Sequence, residues 1–325
     1  MSLNQANLGR MRMVRTVAFL VFALCLLFGV AAVKTRAADV RSGNWTIGKS
    51  DEPGKVEFSL IERHRDGNSS HESDWPASAF PGVDFSKSGR QDVRFTVTRD
   101  AGKIECEGFL NDGVGAGIFH FQPDPRYARE MHELGFSVDE ERQYSMAVHD
   151  VSLEFARQIR NEHLSDLDAD KLIAFRIFRV DSVFIEELRA AGLKISNSDK
   201  LVAFRIHGVT PQMIRSLHQA GYTPDEDTLI AMRIHGATPD WMEELKKRGY
   251  DHVDLEQLIA FRIHGVSPEF IDRLQSLGYK HPDPDELVAM RIHNVTPEYI
   301  SDLRTRGMQN LSIDQLVSMR IHGID

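Results

Sequence analysis

The sequence predicts an α+β protein in separate domains: a small antiparallel β domain followed by an α-solenoid of helical hairpins. Three observations carry this. The stretch LVAFRIHGVTP at 201–211 returns as LIAMRIHGATP at 229–239, LIAFRIHGVSP at 258–268 and LVAMRIHNVTP at 287–297, and in part as LVSMRIHGID at 316–325. Every copy is bracketed by residue types that start and stop helices. Residues 39–122, in contrast, alternate apolar and polar positions with the period of a strand.

The repeat is a helical hairpin. With its arginine as marker, Arg176, Arg205, Arg233, Arg262, Arg291 and Arg320 stand 29, 28, 29, 29 and 29 residues apart. Eight residues before each marker come Asp168, Asn197, Asp225, Asp254, Asp283 and Ser312, whose side chains can cap the free amides of a first turn. Six residues before it come Asp170, Asp199, Asp227, Glu256, Asp285 and Asp314, where a carboxylate meets the positive end of the helix dipole. The first helix of each pair, helix A, therefore starts there. It ends at Gly208, Gly236, Gly265 and Gly323, or at Asn294, residues that accept left-handed backbone.

Two residues further on, Asp181, Thr210, Thr238, Ser267, Thr296 and Asp325 are N-caps of a second helix, helix B. Pro211, Pro239, Pro268 and Pro297 occupy its first position, and Gly192, Gly221, Gly249, Gly278 and Gly307 close it. Helix A is apolar nearly all round apart from its arginine, which predicts burial inside a stack, whereas helix B carries one apolar stripe, such as Ile214 and Leu217. A hairpin cannot bury helix A alone, so the hairpins stack, about six and a half of them over residues 123–325. The first is degenerate: Asp124, Pro125, Gly135, Asp139 and Ser152 fill its signal positions, but Ala147 replaces the arginine and His163 the closing glycine.

The β domain takes residues 39–122. The runs 44–48, 55–61, 92–98, 103–110 and 114–122 predict about five strands, with Val93, Phe95 and Val97 on one face and Arg94, Thr96 and Thr98 on the other. Asp100-Ala101-Gly102 and Asn111-Asp112-Gly113 predict hairpin turns. The polar stretch 64–91, rich in Ser, Asp, Gly and Pro, reads as a long surface loop. Cys106 reads as a buried core residue.

Residues 1–38 have the layout of an export segment. Arg10, Arg12 and Arg15 precede VAFLVFALCLLFGVAAV at 17–33, and Thr35-Arg36-Ala37 fits a cleavage site. The alternative is a retained membrane anchor, since the apolar run reaches the lower length of a spanning helix. Leu24 before Cys25 is too large for a lipoprotein cleavage motif. Both readings place the rest of the chain in the periplasm, either free or anchored to the inner membrane.

Several functions fall away. The formal charge of −9 comes without a basic face, which argues against a nucleic-acid partner. His132-Glu133 is not followed by the second histidine of a metalloprotease helix. GVGAG at 113–117 precedes a strand and lacks the Lys-Ser or Lys-Thr of a phosphate loop, so it reads as a glycine-rich turn with close packing. The column His207, His235, His264, His293 and His322 sits one helix spacing apart, about 8–10 Å, too far for neighbours to share a metal. Its members read as last-turn residues bonding free carbonyls. The expectation is therefore a non-enzymatic protein with no cofactor and no metal.

Two groups remain as candidate interaction residues. The six marker arginines either pair with an acid of their own or the next hairpin, or line a groove for acidic ligands. Leu316, Val317 and Ile321 of the last helix A have no following hairpin in the sequence, which predicts an apolar end that docks on a partner or on a second copy, as a homodimer.

The repeats LVAFRIHGVTPQMIRSLHQAGY and LIAFRIHGVSPEFIDRLQSLGY resemble a repeat of bacterial envelope proteins that is also appended to BlaR-type antirepressor metallopeptidases. The resemblance covers residues 124–325, and RDAGKIECEGFLNDGVGAGIFHF is similar to the domain that often precedes such repeats. It implies an exported module and, with the metallopeptidase motif missing, no protease activity. The expected function is a protein-interaction scaffold of the envelope. The alternative is a membrane-anchored sensor or regulator that binds an envelope ligand.

Overall fold

The computed structural model describes residues 41–64 and 67–324. Residues 1–40, where the sequence predicts an export segment, lie outside them, as does Asp325. The chain divides into two compact units, the first ending at Leu153 and the second starting at Glu154.

The first unit is organised by one antiparallel sheet of six strands: β1 (Ser42–Lys49), β2 (Lys55–His64), β3 (Gly67–Pro76), β4 (Arg90–Arg99), β5 (Gly102–Asn111) and β6 (Val114–Pro123), in the order β3-β2-β1-β6-β5-β4. The register places Trp45, Ile47, Phe58, Leu60, Phe95, Val97, Ile104, Cys106, Phe119 and Phe121 on one face, and all are buried. The sheet curls around this face, because Phe58 of β2 and Phe95 of β4 meet at 6.3 Å between ring centroids although three strands separate them. The glycines of GVGAG serve that packing. A Cβ on Gly117 would lie 2.6 Å from the Trp45 indole, and one on Gly108 would lie 2.7 Å from it. The indole thus lies flat across two strands and donates its N–H to the Glu107 carbonyl at 3.1 Å.

One strand was not expected. The polar stretch 64–91 is not all loop: β3 pairs with β2 along its length, Val56 opposite Trp75 and Leu60 opposite His71. Ser70, Glu72 and Asp74 give no hydrophobic alternation to read. The strand is held by its backbone ladder and by Trp75, and its polar surface suits a sheet edge. Phe80, in the connection that follows, plugs the core at 5.1 Å from Phe58.

Two helices follow in the same unit: α1 (Pro125–Glu133), capped by Asp124, and α2 (Glu140–Val148), capped by Asp139. Helix α2 lies on β5 and β6, with Tyr144 stacked on Phe119 and edge-on to Phe121. The Gln143 amide donates to the carbonyls of Ala101 and Asp124, both at 2.8 Å. The division between compact units thus falls after the first two helices, whereas the sequence places its boundary at 122/123. Ala147 in the arginine position is fully buried, so no guanidinium fits there.

The rest is the repeat stack. The B helices are α3 (Leu153–Arg160), α5 (Ser182–Ala190), α7 (Pro211–Gln219), α9 (Pro239–Lys246), α11 (Pro268–Ser276) and α13 (Pro297–Thr305). The A helices are α4 (Ala169–Phe178), α6 (Ser198–His207), α8 (Glu226–His235), α10 (Leu255–His264), α12 (Pro284–Ile292) and α14 (Ile313–Ile321). Each expected cap from Asp168 to Ser312 precedes its helix, and Asp181, Thr210, Thr238, Ser267 and Thr296 each accept an amide of the first turn of a helix B. Gly208, Gly236 and Gly265 end their helices at φ 70°, 73° and 75°. The next residue folds back, as when the Val209 amide donates to the Phe204 carbonyl at 2.8 Å and buries its side chain.

Each A helix packs on the A helix of the next repeat, and B helices on B helices, so contacts run between neighbours as in a solenoid. Tyrosines latch the steps: the hydroxyls of Tyr222, Tyr250 and Tyr279 donate to the carbonyls of Val253, Pro282 and Leu311, one repeat on. Burial pushes Tyr250 up to about 12, so it keeps its proton and donates at any physiological pH. Thr238→Ala is expected to lower the stability of its repeat by about 1 kcal/mol through loss of a cap. Gly236→Val should cost more, because a β-branched residue resists positive φ and its Cβ would sit 2.8 Å from the Arg262 guanidinium. Thermal unfolding of the two variants checks the ranking.

Candidate interaction surface

Three of the marker arginines take backbone carbonyls as their hydrogen-bond partners. The Nε of Arg233, Arg262 and Arg291 donates to the carbonyl of His207, His235 and His264 at 2.9, 3.1 and 3.2 Å, which is the end of helix A in the preceding repeat. The guanidinium of Arg176, Arg205, Arg262, Arg291 and Arg320 also lies over Phe155, Phe184, Trp241, Phe270 and Tyr299, the third residue of the preceding helix B. At 3.6 Å from the ring centroid, Arg205 is the closest of these. The arginine therefore staples one repeat to the next through a neutral carbonyl and a ring, and brings its charge to the negative end of the neighbouring helix. Acids pair elsewhere between repeats: Lys171 with Asp199, Lys200 with Asp227, Arg248 with Asp272 and Arg273 with Glu298.

The histidine column supplies carbonyls to these arginines. Among the described residues, no three His, Cys, Asp or Glu side chains gather in a metal-binding group.

The expectation that helix A is buried nearly all round is corrected. Its core stripe is narrow, two or three residues per repeat, such as Leu201 with Phe204 and Leu258 with Phe261. The isoleucine after each arginine faces outward: Ile177, Ile206, Ile234, Ile263, Ile292 and Ile321 are between 48% and 58% exposed. One turn earlier come half-buried Ile173, Val202, Ile230, Ile259, Val288 and Val317. Residues four apart share a helix face, so each A helix shows a pair of β-branched side chains on its outside. Stacking aligns the pairs into a ladder, with the exposed carboxylates of Asp170, Asp199, Asp227, Glu256, Asp285 and Asp314 along one margin. Of the three residues expected at the end of the stack, Leu316 is fully buried, while Val317 and Ile321 are the last rung of this ladder. The sequence could not separate the outer isoleucine from the core leucine, because helix A is apolar on both sides.

The first unit holds the buried ionisable groups. Glu62, 3% exposed, accepts from Arg41 Nε and Nη2 at 2.5 and 2.7 Å, and the guanidinium lies 4.3 Å from the Tyr144 ring centroid. His71 stands edge-on to the rings of Tyr144 and His149. Burial is the main cause that lowers the His71 pKa, with Arg41 also lowering it and Glu62 opposing. Burial also pushes the Cys106 thiol far up, which leaves it unreactive.

Comparison with known families finds no matching family model, and comparison with curated proteins finds no match. Among the described residues, no helix is long and apolar enough to cross a membrane.

A histidine with a lowered folded pKa contributes stability above its unfolded value, about 6.5, that is lost as the pH falls through the folded value. The first unit is therefore expected to melt at lower temperature as the pH drops from about 7 to about 5, and His71→Phe should flatten that slope. Amide exchange in β2 and β3, measured across this range in both proteins, checks it.

Proposed function

We propose that the chain is a non-enzymatic interaction module of the bacterial envelope that docks a protein partner along the isoleucine ladder. The observation that carries this reading is the ladder itself: six isoleucines, each about half exposed, at one equivalent position of six stacked helices. Isolated apolar residues on a surface need no explanation, but a contiguous row with charged margins is the pattern of a contact site. Export rests on the layout of residues 1–38, and an envelope location on the resemblance of the repeats.

The non-enzymatic part rests on what the polar groups are doing. Arg233, Arg262 and Arg291 donate to backbone carbonyls, Arg41 stands between the buried Glu62 and the exposed Glu141, and burial raises the pKa of the Cys106 thiol. The hollow beside Lys49, Asp51, Glu52 and Lys55 is an open loop surface with charges and no nucleophile set against a base.

The test uses the full chain in cells with a photoreactive residue at Ile263 or, as comparison, at the exposed Glu243 of helix B. Crosslinked protein adducts are expected from position 263 and at most a tenth as much from 243. Equal yields, or none from 263, overturn the reading.

A further inference from the structure

The ladder also carries a charge order that selects its partner. From the N-terminal to the C-terminal end, each A helix presents an exposed carboxylate, a half-buried Val or Ile beside a small residue, and then the exposed isoleucine with the arginine at its side. Asp227, Ile230, Ala231, Arg233 and Ile234 show the order in one repeat. Across the stack this makes a carboxylate-rich margin, in which Asp199 and Asp227 also meet Lys171 and Lys200 of the preceding repeat, then an apolar band and a basic row. We propose that this face binds a second copy of the same chain about a two-fold axis that runs along the stack. The proposal rests on the reading of the ladder as a docking surface and names its partner.

Pitch is the first argument. Successive rungs stand one helix spacing apart, about 8–10 Å, for six rungs. A foreign surface would have to reproduce that repeat, including its one step of 28 residues among steps of 29. A second copy does so by construction when repeat n faces repeat n, as an axis along the stack requires.

Charge decides the axis. A two-fold along the stack turns the helices antiparallel across the interface, so the acidic margin of each copy comes to the basic row of the other. An axis across the stack would set acid against acid. The arginines retain donors for this contact: Arg233, Arg262 and Arg291 use Nε on a carbonyl, and their Nη groups carry no other hydrogen bond among the described residues.

Register agrees with charge. With the isoleucine of one copy against the Val or Ile one turn earlier in the other, the axis passes about two residues before the isoleucine. The carboxylate then lies five residues from the axis, about 7.5 Å along the helix. The guanidinium, packed at the C-terminal glycine of the neighbouring helix, lies four residues beyond the axis, about 6 Å. The difference of about 1.5 Å is within the reach of the two side chains. The band is about 40–50 Å long and about 15 Å wide. That area is close to the roughly 800 Å² per partner that a stable interface buries.

The experiment uses two differently tagged full-length copies expressed together, both with Cys25→Ser, one with Ile230→Cys and the other with Ile234→Cys. Oxidation is expected to yield a mixed-tag disulfide dimer. A pair carrying Ile206→Cys and Ile292→Cys, the second and fifth rungs, which an axis across the stack would bring close, should stay at background. Adding Ile263→Glu to both copies, at an exposed position that leaves the fold intact, should lower the dimer yield at least tenfold with unchanged thermal unfolding. A 230–234 yield no greater than that of two copies bearing Glu243→Cys overturns the proposal. So does a strong 206–292 crosslink. If the photoreactive residue at 263 captures other proteins and never a second copy, the self-association fails while the docking reading stands.

Discussion

The joint between one repeat and the next turns on a guanidinium. Helix A is only nine or ten residues long and leaves its last carbonyls without partners. The arginine of the following repeat fills one of these and lays its plane on the ring that starts the preceding helix B. That explains two further features of the repeat. The third residue of helix B is aromatic in five of the six joints and Met213 in the other. The residue after helix A is glycine where the arginine lies against it: Gly208, Gly236 and Gly265 each have a guanidinium nitrogen 2.8 or 2.9 Å from where a Cβ would stand. Positive φ alone would admit asparagine, as at Asn294; the close approach adds a second demand.

An ion pair in the same place would have been a weaker joint. An exposed arginine–carboxylate pair contributes about 0–1 kcal/mol and fades with salt. A guanidinium held by a carbonyl and a ring keeps its charge where the helix dipole is negative and needs no second charge to be desolvated. The tyrosine latches act on the other side of the joint with the same logic, a side-chain donor meeting a backbone carbonyl one repeat on. Both devices leave the carboxylates of helix A at the surface.

The architecture was legible in the sequence where local chemistry decides it. Caps, prolines and glycines mark helix ends by hydrogen bonding and φ alone, so Thr210, Pro211 and Gly221 bound their helix from sequence. Where tertiary packing decides, the sequence was silent or ambiguous. Strand β3 shows no hydrophobic alternation, because its ladder to β2 and a single buried side chain, Trp75, hold it. Helices α1 and α2 look like a worn repeat, but Tyr144 and Gln143 tie them to the sheet. The arginine column reads from sequence either as paired with acids or as lining a groove, and the carbonyls that Arg233, Arg262 and Arg291 meet leave no trace there. The outer isoleucine was hidden for a similar reason: among Leu201, Val202, Phe204 and Ile206, apolar character alone does not say which side meets water.

The stack itself does not require that isoleucine. It lies outside the core stripe and contributes little burial in its own repeat. Isoleucine is also a poorer helix former than alanine, lysine or glutamate, because its branched side chain loses rotamer freedom against the preceding turn. A repeat shaped only by stability and solubility would place one of those residues there. Helix B does so in places: Glu243 and Lys246 are exposed on its outer surface. The six-fold recurrence of isoleucine on helix A alone therefore runs against both local propensity and solvation. A contact outside the repeat would supply the gain that offsets these costs, which favours the ladder over the arginine column as the proposed docking surface.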